Sequence, residues 1–291
     1  MSDLTDRIEA WHTTGKPYAL ATIVAAHGST PREVGPAFAV DGSGRAVGSV
    51  SGGCVDAAVY DLCLRVLDCA TEGPLRETYA QKTDDDELNL GPSLVCGGEI
   101  VVEARRVDPR FEGAPPTDPT DPPRLLIFGA VAFADALVKT GKLLGYHVTV
   151  CDARPIFATR ERYPEADEVV VGWPHEYLTQ TQTDARTAIC VLTHDERFDV
   201  PVLREALRMP VGYIGAIGSR HTCTQRVERL RALGVEQHQL DRLRSPIGLD
   251  LGAHTPEEVA VSILAEIIAV ARGGSGRPLH ETEGPIHRRG E

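Results

Sequence analysis

Two short segments pair a cysteine with adjacent glycines: Ser51-Gly52-Gly53-Cys54 and Cys96-Gly97-Gly98-Glu99. Glycines beside a helix start leave backbone N–H groups unpaired, and the helix dipole there favours negative charge. A cysteine in such a first turn is expected to have a lowered thiol pKa and to be more thiolate at neutral pH. That thiolate could bind a soft metal, carry a persulfide or coordinate molybdenum. It could equally be a small packing residue, with the glycines merely making turns. Zinc fits less well, because two thiols without nearby histidine ligands make an incomplete tetrahedral set. A third segment, Gly28-Ser29-Thr30-Pro31-Arg32, is a small-residue turn ending in arginine, which suits phosphate or pterin recognition but also passes for an ordinary loop.

Further candidates lie at expected strand ends. After the apolar run Leu125 to Phe128 comes Gly129-Ala130-Val131-Ala132-Phe133-Ala134, and Asp152 follows 23 residues after Gly129. In a dinucleotide fold, a G-x-G-x-x-G turn lets a pyrophosphate approach a helix N-terminus and a later acid binds ribose hydroxyls. Here only the first glycine is kept and Val131 replaces the second, so the turn reads either as a nucleotide site or as a partly closed scaffold. His194-Asp195 could be an acid/base pair or a solvated loop. Gly218-Ser219-Arg220 runs into a helix and offers N–H groups and a guanidinium to an anion. The run Asp84-Asp85-Asp86-Glu87 reads as a solvated loop rather than a hard-cation site. Cys63, Cys69, Cys151 and Cys190 read as packing or incidental, and Cys223 stays open.

The elements that must position these residues follow from composition and pattern. With 291 residues, 42% hydrophobic and 25% charged, the chain is an ordinary globular one of about two domains. A net charge of −12 argues against nucleic acid and anionic membranes as partners. The N-terminal stretch lacks a signal peptide, no run is long enough to span a bilayer, and seven cysteines without regular spacing argue against a disulfide framework. The expected location is the cytoplasm.

Six prolines between Pro109 and Pro123 mark a semi-rigid linker. The expected division is an α+β domain over 1–106, a linker over 107–123, a Rossmann-like domain over 124–274 and a flexible tail over 275–291. The first domain is expected to hold a helix near 3–13, a strand from Tyr18 to Ala26, and a hairpin of Phe38–Val40 with Ala46–Val50. A helix with Val55, Val59, Leu62 and Val66 on one face should follow Gly53, and strands Leu94-Val95 and Ile100–Ala104 should surround the second cysteine turn. In the second domain, strands 125–128, 147–151, 168–171, 188–192 and 213–217 alternate with helices, the pattern of a doubly wound parallel sheet. Thr255-Pro256-Glu257-Glu258 signals the start of its last helix.

Taken together, GSTPREVG (28–35), GSVSGGCVDAAVYD (48–61), VCGGEIVVEA (95–104), VTVCDARPIFA (148–158), VLTHDERFD (191–199), YIGAIGSR (213–220) and SPIGLDLGAHTPEEVAVSILAEI (245–267) resemble the XdhC/CoxI family, accessory proteins of xanthine dehydrogenase and related molybdenum hydroxylases. The resemblance implies a maturation chaperone rather than the dehydrogenase itself: a homodimer that binds the molybdenum cofactor (molybdopterin), supports its sulfuration by a cysteine desulfurase and delivers it to the apoenzyme. It would place Cys54 and Cys96 nearest the cofactor, with Arg32, Gly52, Gly53, Gly97 and Gly98 cradling it. The Rossmann-like half would present Gly129, Asp152, His194, Asp195, Ser219 and Arg220. One departure is that many members read GAGHVG where this chain reads GAVAFA. The alternatives are a nucleotide-dependent oxidoreductase using NAD(P) and the Rossmann-like half, with His194 as acid/base, or a scaffold retaining only partner binding.

Overall fold

From Tyr18 onward, apolar side chains alternate between two faces, the period-two signature of a strand buried on both sides. Tyr18 and Leu20 point to one cluster and Ala19, Ala21 and Ile23 to another. In the computed structural model, which describes residues 2–30, 33–68, 73–81, 92–95, 97–112, 122–284 and 286, this strand is the centre of the first of two compact units. The units are Met1–Asp121 with Leu279–Glu291, and Pro122–Pro278.

The first unit runs α1 (Ser2–Thr13), β1 (Tyr18–Gly28), β2 (Gly35–Asp41), β3 (Ala46–Gly48), α2 (Asp56–Asp68), β4 (Leu75–Ala80) and β5 (Gly98–Val107). Its antiparallel sheet has the order β3-β2-β1-β5-β4. Val59, Leu62, Cys63 and Val66 of α2 cover one face, and Leu4, Ile8 and Trp11 of α1 cover the other. Tyr18 pairs with Asp41 on one side and Val107 on the other, whereas Gly28 pairs with Gly98. The loops β1–β2, β3–α2 and β4–β5 therefore all leave the sheet at one end. At the opposite end, turns are pinned by carboxylates. Asp41 Oδ1 accepts from Ser43 N at 2.9 Å and Arg45 N at 3.0 Å, and Asp108 Oδ1 accepts from Arg110 N at 3.1 Å.

β4 carries little apolar signal, because its consecutive residues Arg76 and Glu77, one on each face, serve an edge: Arg76 bonds Glu103 at 2.5 Å and Glu77 pairs with Arg65. Such charges blunt an exposed strand edge. Leu94-Val95 is not a strand. The Leu94 N–H reaches Ala80 O at 3.0 Å and its side chain is buried, but Val95 is exposed. Residues 113–121 of the proline-rich stretch, the acidic run 84–87, Cys69 and the tail residues 285 and 287–291 lie outside the described residues.

The second unit holds β6 (Arg124–Phe128), α3 (Ala132–Leu143), β7 (His147–Asp152), β8 (Glu168–Val171), α4 (Pro174–Gln180), β9 (Ala188–Val191), α5 (Glu196–Ala206), β10 (Tyr213–Ala216), α6 (Arg220–Ala232), α7 (Gln237–Leu240), β11 (Leu243–Arg244) and α8 (Pro256–Arg272). Every pairing is parallel, in the order β11-β10-β9-β6-β7-β8, the doubly wound Rossmann arrangement with its reversal between β6 and β9. α3 and α8 cover one face, and α4, α5 and α6 the other. α8 begins with the expected reciprocal cap, Glu258 N to Thr255 Oγ1 at 3.2 Å and Thr255 N to Glu258 Oε2 at 3.0 Å, and ends at left-handed Gly273. Among the described residues, no helix is long and apolar enough to cross a membrane.

Candidate functional site

The loop-bearing end of the first sheet gathers the predicted glycine turns. Gly28 and Gly98 face each other across β1 and β5, so closely that a Cβ on Gly98 would lie 2.4 Å from the Ser29 carbonyl oxygen. The Gly28-Ser29-Thr30 turn and the Gly97-Gly98 turn are thus packed backbone to backbone, which only glycine permits. Arg32 and Cys96, expected beside them, lie outside the described residues.

The third loop at that end carries Cys54. One carboxylate organises it: Asp56 Oδ1 accepts from Val50 N, Ser51 N and Ser51 Oγ, each at 3.0 Å, and Oδ2 from Ser49 Oγ at 2.5 Å. Ser49 Oγ in turn accepts from Gly52 N at 2.7 Å, and Ser51 Oγ from Val55 N at 2.9 Å. The serine hydroxyls and the following carboxylate thereby satisfy donors that the entry to α2 would leave open. Gly52 and Gly53, at φ +73° and +124°, have open space where a Cβ would stand. Cys54 is exposed beside them. α2 starts at Asp56, so the thiol precedes the first helical turn rather than sitting in it. Asp56 escaped the sequence reading, although a carboxylate just after a Ser/Gly turn is a recognisable signal for side-chain-to-backbone bonding.

In the second unit, the predicted residues do meet at the carboxyl rim of the sheet. A Cβ on Gly129 would strike Thr193 Cγ2 at 2.6 Å, which binds the β6 turn tightly to the end of β9. Asp152 is enclosed and already engaged: Oδ2 accepts from Ala130 N and Arg154 Nη2 at 2.8 Å, and Oδ1 from Arg154 N and Nε at 2.9 Å. Burial alone would raise its carboxyl, but these donors hold it below its ordinary value. Asp195 caps α5 and bonds Arg197, whose side chain above all keeps the carboxyl down at about 2. Its acid is therefore committed to Arg197, and His194 stands exposed next to it. Ser219 caps α6 through Thr222 N at 3.1 Å. Arg220 is exposed and lines a cavity of about 370 Å³ with Thr224, Arg231 and Ser245.

Behind this rim lies a pair that the sequence did not announce. Arg226 Nη2 meets Asp199 Oδ2 at 2.8 Å and Ile217 O at 2.9 Å, Arg226 Nη1 meets Ser245 Oγ at 3.1 Å, and Thr193 Oγ1 donates to Asp199. This network ties β9, α5, β10, α6 and the segment after β11 together. Cys63 and Cys151 are buried thiols pushed up to about 12 by desolvation, and burial likewise raises Cys190. Cys223 is buried with its Sγ 3.6 Å from Gly218 O. Among the described residues, no cluster of three or more His, Cys, Asp or Glu could hold a metal ion.

Residues 125–267 match the family profile described as the XdhC Rossmann domain, and residues 11–80 that of the XdhC and CoxI family. The chain is 28% identical to a protein of Bacillus subtilis named as a probable xanthine dehydrogenase subunit, over 86% of this chain and 92% of that one. It is 26% identical to the molybdenum cofactor insertion chaperone PaoD of Escherichia coli, over 88% of this chain and 84% of the relative. In fold it resembles the crystal structure of a xanthine dehydrogenase (BH1974) from Bacillus halodurans, with a TM-score of 0.71, 24% identity, and 95% and 97% of the two chains covered.

Proposed function

Because the chain belongs to the XdhC and CoxI family, we propose that it is a maturation factor whose cargo is the molybdenum cofactor and whose client is a molybdenum hydroxylase of the xanthine dehydrogenase kind. The observation that carries this reading is the convergence of three loops at one end of the first sheet, two of them locked at Gly28 and Gly98 and the third presenting Cys54. The cargo is an anionic pterin whose metal is soft enough to favour sulfur. An exposed thiol beside two glycines with open space above them suits both halves of that molecule. Gly52 and Gly53 would let the pterin approach the backbone, Cys54 and Cys96 would stand nearest the metal end, and Arg32, Gly97 and Gly98 would receive the phosphate side. On a chain with a net charge of −12, such local donors must supply the attraction. The name borne by PaoD, an insertion chaperone, supports the same role.

In this reading the protein holds the cofactor while a cysteine desulfurase partner supplies its terminal sulfur, and then passes it to the apoenzyme. The rim of the second unit, with Gly129, Asp152, His194, Asp195, Ser219 and Arg220, serves the same cargo or its partners. The test is cofactor binding by the purified chain, with the pterin followed by fluorescence after oxidation. Wild type should bind, and Cys54→Ala should weaken binding by about tenfold or more, the loss of one strong contact. Binding of NAD(P) without any pterin would overturn the proposal and make the second unit the functional half.

A further inference from the structure

The reversal of strand order between β6 and β9 is where a doubly wound sheet seats a dinucleotide. The pyrophosphate lies over the first turn, and the ribose hydroxyls bond the acid that ends the second strand. The turn in this chain keeps its tight bend at Gly129, and the fully buried Ala134 is small enough for the helix–strand packing asked of the third position. Val131 breaks the pattern. It is the N-cap of α3 without a side-chain cap, and its N–H turns back to Gly129 O at 3.0 Å. Its branched, half-buried side chain packs against the core from the position where a glycine would leave room for phosphate. The neighbouring Ala130 N–H is also taken, by Asp152 Oδ2 at 2.8 Å.

At the ribose end, a side chain of the adjoining loop stands in the way. An ionised carboxylate has about four lone-pair sites. Asp152 fills them internally: Oδ1 accepts from Arg154 N and Nε at 2.9 Å, and Oδ2 from Ala130 N and Arg154 Nη2 at 2.8 Å. None is left for the two donors of a ribose diol. The Arg154 guanidinium also lies over the Phe157 ring, 4.6 Å from its centre. Exchanging it for a neutral diol would leave Asp152, 2% exposed, without its counter-ion. Asp195, the next carboxylate along the rim, is committed in the same way to Arg197.

We propose that Arg154 is a built-in occupant of the ribose seat and Val131 a plug in the pyrophosphate seat, so that the second unit keeps the Rossmann frame but excludes nicotinamide dinucleotides. A guanidinium beside the ribose acid can favour a 2′-phosphate over a 2′-hydroxyl, yet Val131 bars the pyrophosphate of either dinucleotide. The bonds on Asp152 act instead as a clasp, tying the end of β7 to the turn between β6 and α3. A rim closed in this way has no seat for a hydride carrier. This inference concerns the second unit alone and does not rest on the cargo reading of the first.

The test is titration of the full chain with NADH and with NADPH, followed by nicotinamide fluorescence. Wild type should bind neither with a Kd below about 1 mM. The double variant Val131→Gly with Arg154→Ala clears both seats and should bind NADH at about 100 µM or tighter, a gain of about tenfold or more. Adding Asp152→Ala should remove that gain, because the freed carboxylate is what receives the diol. Arg154→Ala alone leaves the α3 turn as it is and should tighten NADH binding by about threefold or more, which keeps the ribose half testable if the double variant melts early. Wild type binding either dinucleotide below about 1 mM overturns the proposal. So does a double variant no tighter than wild type, or a triple variant that keeps the gain; melting curves alongside establish that each variant is folded.

Discussion

Arg226 and Asp199 meet at 2.8 Å with side chains only 4% and 3% exposed, which makes them the most enclosed ion pair among the described residues. Removing one member of such a pair strands the other charge, so Asp199→Ala should cost about 3–5 kcal/mol at neutral pH. The pH dependence has a definite sign. Burial pushes the Asp199 carboxyl up to about 6, against the pull of Arg226. With its folded-state value above the ordinary carboxylate value, its contribution is complete below about pH 4 and is lost as pH rises through about 6. The stability of wild type relative to Asp199→Asn should therefore increase as pH falls across that window. Urea melts of both proteins would show this, and a difference that stays constant or shrinks on acidification would refute it.

Asp41 should behave in the opposite way. Burial alone would raise its carboxyl, but bonds from Ser43 and Arg45 bring it down to about 2. Its contribution is present above about pH 4 and is lost as pH falls through about 2, and is worth about 2 kcal/mol when complete. Asp41→Ala should destabilise by that amount at neutral pH and converge with wild type in strong acid. Parallel thermal melts that keep their separation down to about pH 2 would contradict the assignment.

Two glycines of the loop-bearing end should respond differently to alanine. At Gly98 the new Cβ would meet backbone atoms of Ser29 at 2.4 and 2.7 Å, so β1 and β5 must part. At Gly52 nothing lies within 4 Å, and only the left-handed φ of +73° resists. Gly52→Ala should cost about 1 kcal/mol, and Gly98→Ala several times that figure. Equal melting temperatures for the two variants would show that the close approach at Gly98 does not constrain the fold.

Asp56 should control the Cys54 turn. Without its carboxylate, the N–H groups of Val50 and Ser51 lose their acceptor and Ser49 loses its anchor. In Asp56→Ala, amide exchange across the segment 49–53 should accelerate by about tenfold or more while the sheet core keeps its protection. Unchanged exchange there would remove Asp56 from this role.

The parts of this architecture carried by periodicity were readable in the chain. The Rossmann strands show as short continuous apolar runs, the buried face of α2 as a three-and-four spacing, and the start of α8 as a Thr-Pro-Glu-Glu cap. β4 was invisible for the converse reason: Arg76 and Glu77 satisfy an edge rather than a core. The Arg226–Asp199 pair joins residues on α6 and α5 that no local pattern links. At the loop-bearing end of the first sheet, the glycine turns announced themselves by type. What the sequence could not supply was that Asp152 and Asp195 spend their carboxylates on Arg154 and Arg197, since hydrogen-bond partners are set by geometry at the strand ends.

The first sheet has unlike ends: one with turns cinched by Asp41 and Asp108, the other with three loops emerging from strands whose register is already fixed. Such a build separates heredity of shape from heredity of trade. Away from the Gly28–Gly98 contact, those three loops can change in length or composition while the strand pairings stay as they are. A graft of all three loops from a relative should therefore change what this end of the sheet binds before it changes how the unit melts.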